Sequence, residues 1–214
     1  MPGGLPPADG IMMFKKGDVF DNPVTGERAT ILLGTRETRG ERLVVELELQ
    51  GAGFGTALHR HPSIHERLKV VSGRVGLTLH DETSIAEPGK MIEIGPGVPH
   101  RFWNAGITAA KLTLDIRPAK RFEAFIRNMI GLAQDGKTDR KGMPNLLQFA
   151  AIAGEFKDVI QFMSPPRLVQ SLLFPMLVPI AALRGYKGSY SEYVFRSPSK
   201  RIQFETKAPL WERF

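Results

Sequence analysis

Glycine and proline recur so often from Gly51 to Gly106 that the chain there is cut into short runs, with breaks at Gly53, Gly55, Pro62, Gly73, Pro88, Gly89, Gly95, Pro96 and Gly97 among them. Short runs bounded by turn-forming residues suit strands rather than helices. The flanking runs alternate. LVVELELQ sets Val45, Leu47 and Leu49 against Glu46, Glu48 and Gln50, and KLTLDI sets Leu112, Leu114 and Ile116 against Lys111, Thr113 and Asp115. A two-residue period belongs to a strand with one buried face, so both are expected to be half-buried. Many short strands at close spacing describe a sandwich or a small barrel.

Two of these stretches carry chemistry: HRHPSIHERLKVVSG, from His59 to Gly73, and GPGVPHRFWN, from Gly95 to Asn104. Together they hold four of the five histidines. Residues two apart on a strand share a face, so His59 and His61 point the same way. After Pro62, the run ERLKVV puts Glu66 on the apolar face with Leu68 and Val70, while Arg67 and Lys69 face away. His100 shares its face with Phe102 and Asn104, opposite Arg101 and Trp103. A rolled antiparallel sheet could therefore aim His59, His61, Glu66 and His100 at one point. The same parity turns His65 outward. His80, just before Asp81 and Glu82, is expected to lie exposed at a hairpin end.

Three neutral imidazoles and one carboxylate form a mixed nitrogen and oxygen donor set. It suits Fe(II), Mn(II), Ni(II), Co(II) or Zn(II) better than calcium. Four protein ligands on an octahedral ion leave two positions for water, dioxygen or a chelating substrate.

At these residues the chain resembles the cupin superfamily. The first cupin motif, a glycine, five residues, HxH, a short spacer, Glu, six residues and a glycine, is matched by Gly53, His59, His61, Glu66 and Gly73. The second is matched by Gly89, Gly97, His100 and Asn104; Gly95 stands where the motif has proline, and Pro96 follows. The resemblance covers roughly residues 40–117. It implies a double-stranded β-helix (cupin or jelly-roll) barrel, a metal held by His59, His61, Glu66 and His100, and a dimer. It does not name a reaction, because this fold hosts dioxygenases, decarboxylases, isomerases, binding modules and storage proteins.

After Pro118 the period changes. Phe122, Phe125, Ile126, Met129, Ile130 and Ala133 fall three and four apart, predicting a helix that ends at Gly136. A second helix is expected over 145–162, with Leu146, Phe149, Ala150, Ala153, Phe156 and Ile160 on its buried side. A third apolar run, Leu168 to Leu183, contains Pro175 and Pro179, so a helix there is expected to be kinked or broken. The chain thus divides into a Pro- and Gly-rich flexible tail (1–13), a barrel (14–118) and a helical C-terminal extension (119–214). Met12 and Met13 offer alternative translation starts.

The formal charge of +7 is uneven: residues 1–116 hold 13 Lys and Arg against 14 Asp and Glu, whereas 117–214 hold 16 against 8. The basic extension could approach an anionic surface. No nucleic-acid reading motif is present, and nucleic acid is not expected as a partner. The uncharged run from Leu168 to Leu183 has 16 residues, short of the roughly 20 needed to span a bilayer. Arg167, Arg184 and Lys187 flank it, and Tyr186, Tyr190 and Tyr193 follow, which would allow contact with a membrane surface. Packing on the barrel or on a second subunit is the expectation preferred. The first residues lack the apolar core of a signal peptide, and the chain has no cysteine, which fits a cytoplasmic protein.

Three histidines and a glutamate most resemble the dioxygenase members, so the first expectation is a metal-dependent oxygenase acting on a small organic molecule. Glu66 would be a ligand, and a proton acceptor if it detaches. Decarboxylation or isomerisation is an alternative, as is a non-catalytic module that binds or senses a metal or small ligand.

Overall fold

In the computed structural model, residues 13–119 and 121–201 are described. Apart from Met13, the N-terminal tail lies outside them. The barrel strands are β1 (Asp18–Asp21), β2 (Arg28–Leu33), β3 (Leu43–Leu49), β4 (His59–Arg60), β5 (His65–Ser72), β6 (Val75–Leu79), β7 (Glu82–Ala86), β8 (Met91–Ile94), β9 (His100–Asn104) and β10 (Ala110–Arg117), with a single-turn helix α1 (Thr35–Thr38) after β2. Then follow α2 (Phe122–Gln134), α3 (Leu146–Glu155), β11 (Gln161–Phe162), α4 (Arg167–Leu183), α5 (Ser191–Val194) and β12 (Lys200–Arg201).

Two antiparallel sheets form the double-stranded β-helix. One has the order β12-β1-β2-β3-β10-β5-β8 and the other β11-β4-β9-β6-β7. Alternation along the strands fills the space between them. Val45, Leu49, Leu68, Val70, Leu77, Phe102, Leu112 and Leu114 belong to one buried cluster. Two motif glycines make the turns that this geometry needs. Gly73 (φ 74°) and Gly97 (φ 78°) take left-handed backbone conformations that residues with a Cβ rarely adopt, and Gly97 N–H donates to the His61 carbonyl at 2.7 Å. At Gly95 a Cβ would meet nothing within 4 Å, so the departure from the motif proline leaves the turn undisturbed.

β10 departs from the half-buried expectation, because Thr113 and Asp115 are buried along with Leu112, Leu114 and Ile116. β10 is an interior strand, hydrogen-bonded to β3 and β5, and the guanidiniums of Arg42 and Arg117 each clasp the Asp115 carboxylate with two hydrogen bonds. A buried carboxylate is tolerated when it is paired in this way.

The extension is helical and also contributes strands: β11 pairs with β4, and β12 with β1. α2 follows the predicted stripe and is held on the barrel by Glu123. That buried carboxylate accepts from Phe14 N–H at 2.6 Å, from Arg127 at 2.8 Å and from the Thr35 hydroxyl. The second helix is shorter than expected. It starts under an Asn145 side-chain cap but ends at Glu155, and Leu146 is exposed rather than buried. Phe156, Val159 and Ile160 remain buried without being helical, because the chain turns there so that Gln161 and Phe162 can complete the ladder on β4. The third run is not broken: α4 is one helix of 17 residues with both prolines inside it. Pro175 and Pro179 are exposed, so the carbonyls that they leave without an N–H partner are not sealed in a core.

Asn104 ties the strand ends together. Its side-chain NH2 donates to the carbonyls of Leu49 (3.0 Å) and Thr108 (2.8 Å), and its Oδ1 accepts from Gly106 N–H (2.9 Å). Asn104→Ala would remove these three hydrogen bonds to backbone groups and is expected to cost about 3 kcal/mol of stability. Urea denaturation measures this, and a loss under 1 kcal/mol, on the order of a single exposed hydrogen bond, would contradict the assignment.

Candidate metal centre

The four predicted residues meet. His59 and His100 are direct cross-strand partners on β4 and β9, His61 follows β4, and Glu66 reaches them from β5 in the facing sheet. One ligand atom from each lies within 4.8 Å of all the others, and all four residues are buried. His65 and His80 are exposed, as the parity argument requires.

Backbone carbonyls set the orientation of the imidazoles. His59 Nδ1 lies 2.7 Å from the Ala57 carbonyl, His61 Nδ1 2.7 Å from that of Val159, and His100 Nδ1 2.9 Å from that of Val98. A carbonyl can only accept, so each Nδ1 carries the hydrogen, and in the neutral ring each Nε2 is left with a bare lone pair. These lone pairs converge: His59 Nε2 is 3.2 Å from His61 Nε2, and His61 Nε2 is 3.6 Å from Glu66 Oε1. His100 Nε2 and Glu66 Oε2 are 2.8 Å apart, yet they are not aligned as a hydrogen bond, and both are buried without a hydrogen-bond partner. Buried acceptors facing one another repel unless a positive charge sits between them. The donor set and the converging lone pairs fit a divalent first-row cation.

The titration pattern shows how the metal-free site would supply that charge. Burial, aided by His100 and His61, pushes His59 down to about 3. Burial likewise lowers His61. Burial acts to raise Glu66, but its contact with His100 and the charges of the imidazoles hold it down to about 2. Burial also acts to lower His100, and the neighbouring Glu66 carboxylate more than offsets this, so its pKa is raised. The Glu66 carboxylate thus favours a proton on His100 where a cation would otherwise sit.

The site opens on a cavity of about 200 Å³, lined chiefly by apolar groups including Phe102, Leu114, Phe122, Phe125, Met129 and Phe162. The Phe122 ring meets His61 edge-on, with centroids 5.6 Å apart. Asn22, Thr25, Glu27 and Lys141 also line the cavity. Glu27 accepts from the Thr25 hydroxyl at 3.0 Å, and burial raises its pKa against that bond. Glu66 is on β5, whereas Glu27 immediately precedes β2, and β3 and β10 lie between those strands in the sheet order.

The sequence contained no signal for the Val159 carbonyl, because backbone acceptors carry no residue type. The stripe of α2 marked Phe122 and Phe125 as buried but not what they cover. Glu27, which immediately precedes β2, belongs to no motif or period that points to a cavity.

Residues 45–117 match the family model for the cupin domain, and the barrel built around this centre belongs to the cupin superfamily. No curated protein matches the sequence. Among solved structures, an RmlC-like cupin from Shewanella frigidimarina is 18% identical with a TM-score of 0.43, over 51% of this chain and 91% of that one. A predicted oxalate decarboxylase from Thermotoga maritima is 16% identical with a TM-score of 0.41, over 54% and 99%. A protein described as a candidate sugar phosphate isomerase from Acidithiobacillus ferrooxidans is 17% identical with a TM-score of 0.39, over 44% of this chain and 61% of that one, under two thirds of its length. Likenesses this distant carry no argument about the reaction.

His61→Ala or His100→Ala is expected to abolish stoichiometric metal, read by elemental analysis of folded protein, while His65→Ala keeps it. Retention by both ligand variants would contradict the assignment. Binding must also displace the His100 proton. Co(II) affinity, followed by its visible absorption, should fall about tenfold per pH unit as pH drops through the raised His100 value. The decline therefore begins above 6.5, the ordinary histidine value, and a flat affinity from pH 8 down to 6.5 would contradict it.

Proposed function

We propose that the protein is a metal-dependent cupin oxygenase acting on a small organic molecule with an apolar body. The observation that carries this reading is the convergence of three carbonyl-oriented imidazoles and a carboxylate at a cavity walled by phenylalanine. A first-row divalent ion there would supply Lewis acidity and, if redox-active, electrons for dioxygen chemistry.

The chain's own residues would hold, orient and dry the site. His59, His61 and His100 would bind through Nε2, with their tautomers fixed by the carbonyls of Ala57, Val159 and Val98. Glu66 would bind through a carboxylate oxygen and, among the described residues, is the acid within the donor set, so it would accept a proton there if it detached. Phe122 and Phe125 exclude water and present a flat apolar wall to the substrate. Glu27, on a different part of the same cavity wall, would offer an acceptor to a hydroxyl or amine of a ligand.

Decarboxylases and isomerases commonly rely on an acid or base beside the metal. Among the described residues lining the cavity, the only titratable side chains outside the donor set are Glu27 and Lys141. That favours oxygenation. A cytoplasmic setting accords with the lack of cysteine.

Protein loaded in turn with Fe(II), Mn(II), Ni(II), Co(II) or Zn(II) should consume oxygen with at least one metal when offered flavonols, aromatic 1,3-diketones, diols and hydroxy acids. Bound metal with no consumption across the panel would assign the barrel to ligand binding or sensing instead. For a probe that turns over, Glu27→Gln should raise KM and leave kcat within about twofold. An equal fall in kcat and kcat/KM would put Glu27 at the reacting atoms.

A further inference from the structure

α4 presents an apolar stripe that the fold leaves uncovered. Leu168, Leu172, Met176, Ile180 and Leu183, spaced four, four, four and three apart, expose 73%, 67%, 68%, 45% and 87% of their surface. The opposite side holds the helix in place: Phe174 and Ala181 are buried, and the Phe174 ring meets Phe149 of α3 edge-on at 5.7 Å. A helix with one side in the core normally turns charged residues outward. Here no charged residue occurs between Leu168 and Leu183. A contiguous apolar face of this kind marks an interaction surface.

Charge decides what covers it. Arg167 starts the helix, and Arg184 and Lys187 follow it, both exposed and without an ion-pair partner among the described residues. Lys157 lines the groove between α3 and α4. From 167 to 201 the chain holds six Lys and Arg against a single acid, Glu192. Antiparallel pairing of α4 with a second copy would set the Arg167 end of each helix beside the Arg184 and Lys187 end of the other. Parallel pairing would set like ends together. Both arrangements bring basic groups together with no acid on the helix to neutralise them, whereas an anionic surface would neutralise them all.

The length of the helix is also informative. At 17 residues it is about 25 Å long, and no helix among the described residues is long and apolar enough to cross a membrane. Pro175 and Pro179 lie exposed and leave carbonyls of the preceding turn without N–H partners. Headgroup water can satisfy such carbonyls, but hydrocarbon cannot. These properties suit a helix lying flat at the headgroup boundary.

We propose that α4 docks this protein on an anionic phospholipid surface, with Leu168, Leu172, Met176 and Leu183 entering the headgroup boundary and Arg184 and Lys187 meeting acidic headgroups. Of the neighbouring tyrosines, Tyr193 takes no part. It is buried, and its hydroxyl is bonded to Lys137 and Asp135.

Flotation of the full chain with phosphatidylcholine vesicles, with and without phosphatidylglycerol, tests this. Binding should be about tenfold tighter or more with phosphatidylglycerol and should weaken with salt. Leu172→Glu with Met176→Glu should abolish it, and Arg184→Gln with Lys187→Gln should remove the anionic preference. Circular dichroism and metal content should match the parent, which separates this test from that of the barrel. Absence of flotation would overturn the proposal. If sedimentation then shows a dimer that Leu172→Glu with Met176→Glu dissociates, the stripe is an interface between copies; a monomer would mean that it binds neither.

Discussion

The structure depends on three hydrogen bonds from imidazole Nδ1 atoms to main-chain carbonyls. Each removes the proton from the side of the ring that faces inward, and together they turn three lone pairs toward a buried carboxylate. Metal-free, that arrangement is electrostatically strained, and the Glu66 carboxylate raises the pKa of His100 in response. The fold tolerates it because the carbonyls belong to rigid strand and turn backbone that packing elsewhere holds in place.

The extension bears on this centre as well as on the surface. The Val159 carbonyl that orients His61 lies between α3 and β11, and β11 is the edge partner of the strand carrying His59. α2 supplies Phe122 against His61 and much of the cavity wall. The ring that confines a ligand and the carbonyl that sets a tautomer thus come from sequence beyond the cupin match at 45–117. Changes in the extension can alter chemistry at the barrel without touching a ligand.

Much of this was legible in the sequence because strand geometry is simple. A period of two assigned His59, His61, Glu66 and His100 to the interior and His65 to the exterior, and each lies on that side. Helical spacing found α2. What escaped depends on neighbours that a local pattern cannot see. Asp115 alternates like a surface residue but is buried because two arginines reach it. The helix expected to run to Phe162 stops at Glu155 because a strand edge competes for the backbone. Leu146 fits the apolar stripe of α3 yet has nothing above it. Proline did not break α4, and both prolines fall on its exposed side.

The central claim concerns proton positions, and long-range proton–nitrogen NMR of the imidazoles in metal-stripped protein at neutral pH tests it most directly. His59 and His61 should be neutral rings carrying hydrogen on Nδ1 and a bare lone pair on Nε2. A hydrogen on Nε2 of either ring would mean that the lone pairs do not converge, and the account of a preformed cation site would fail.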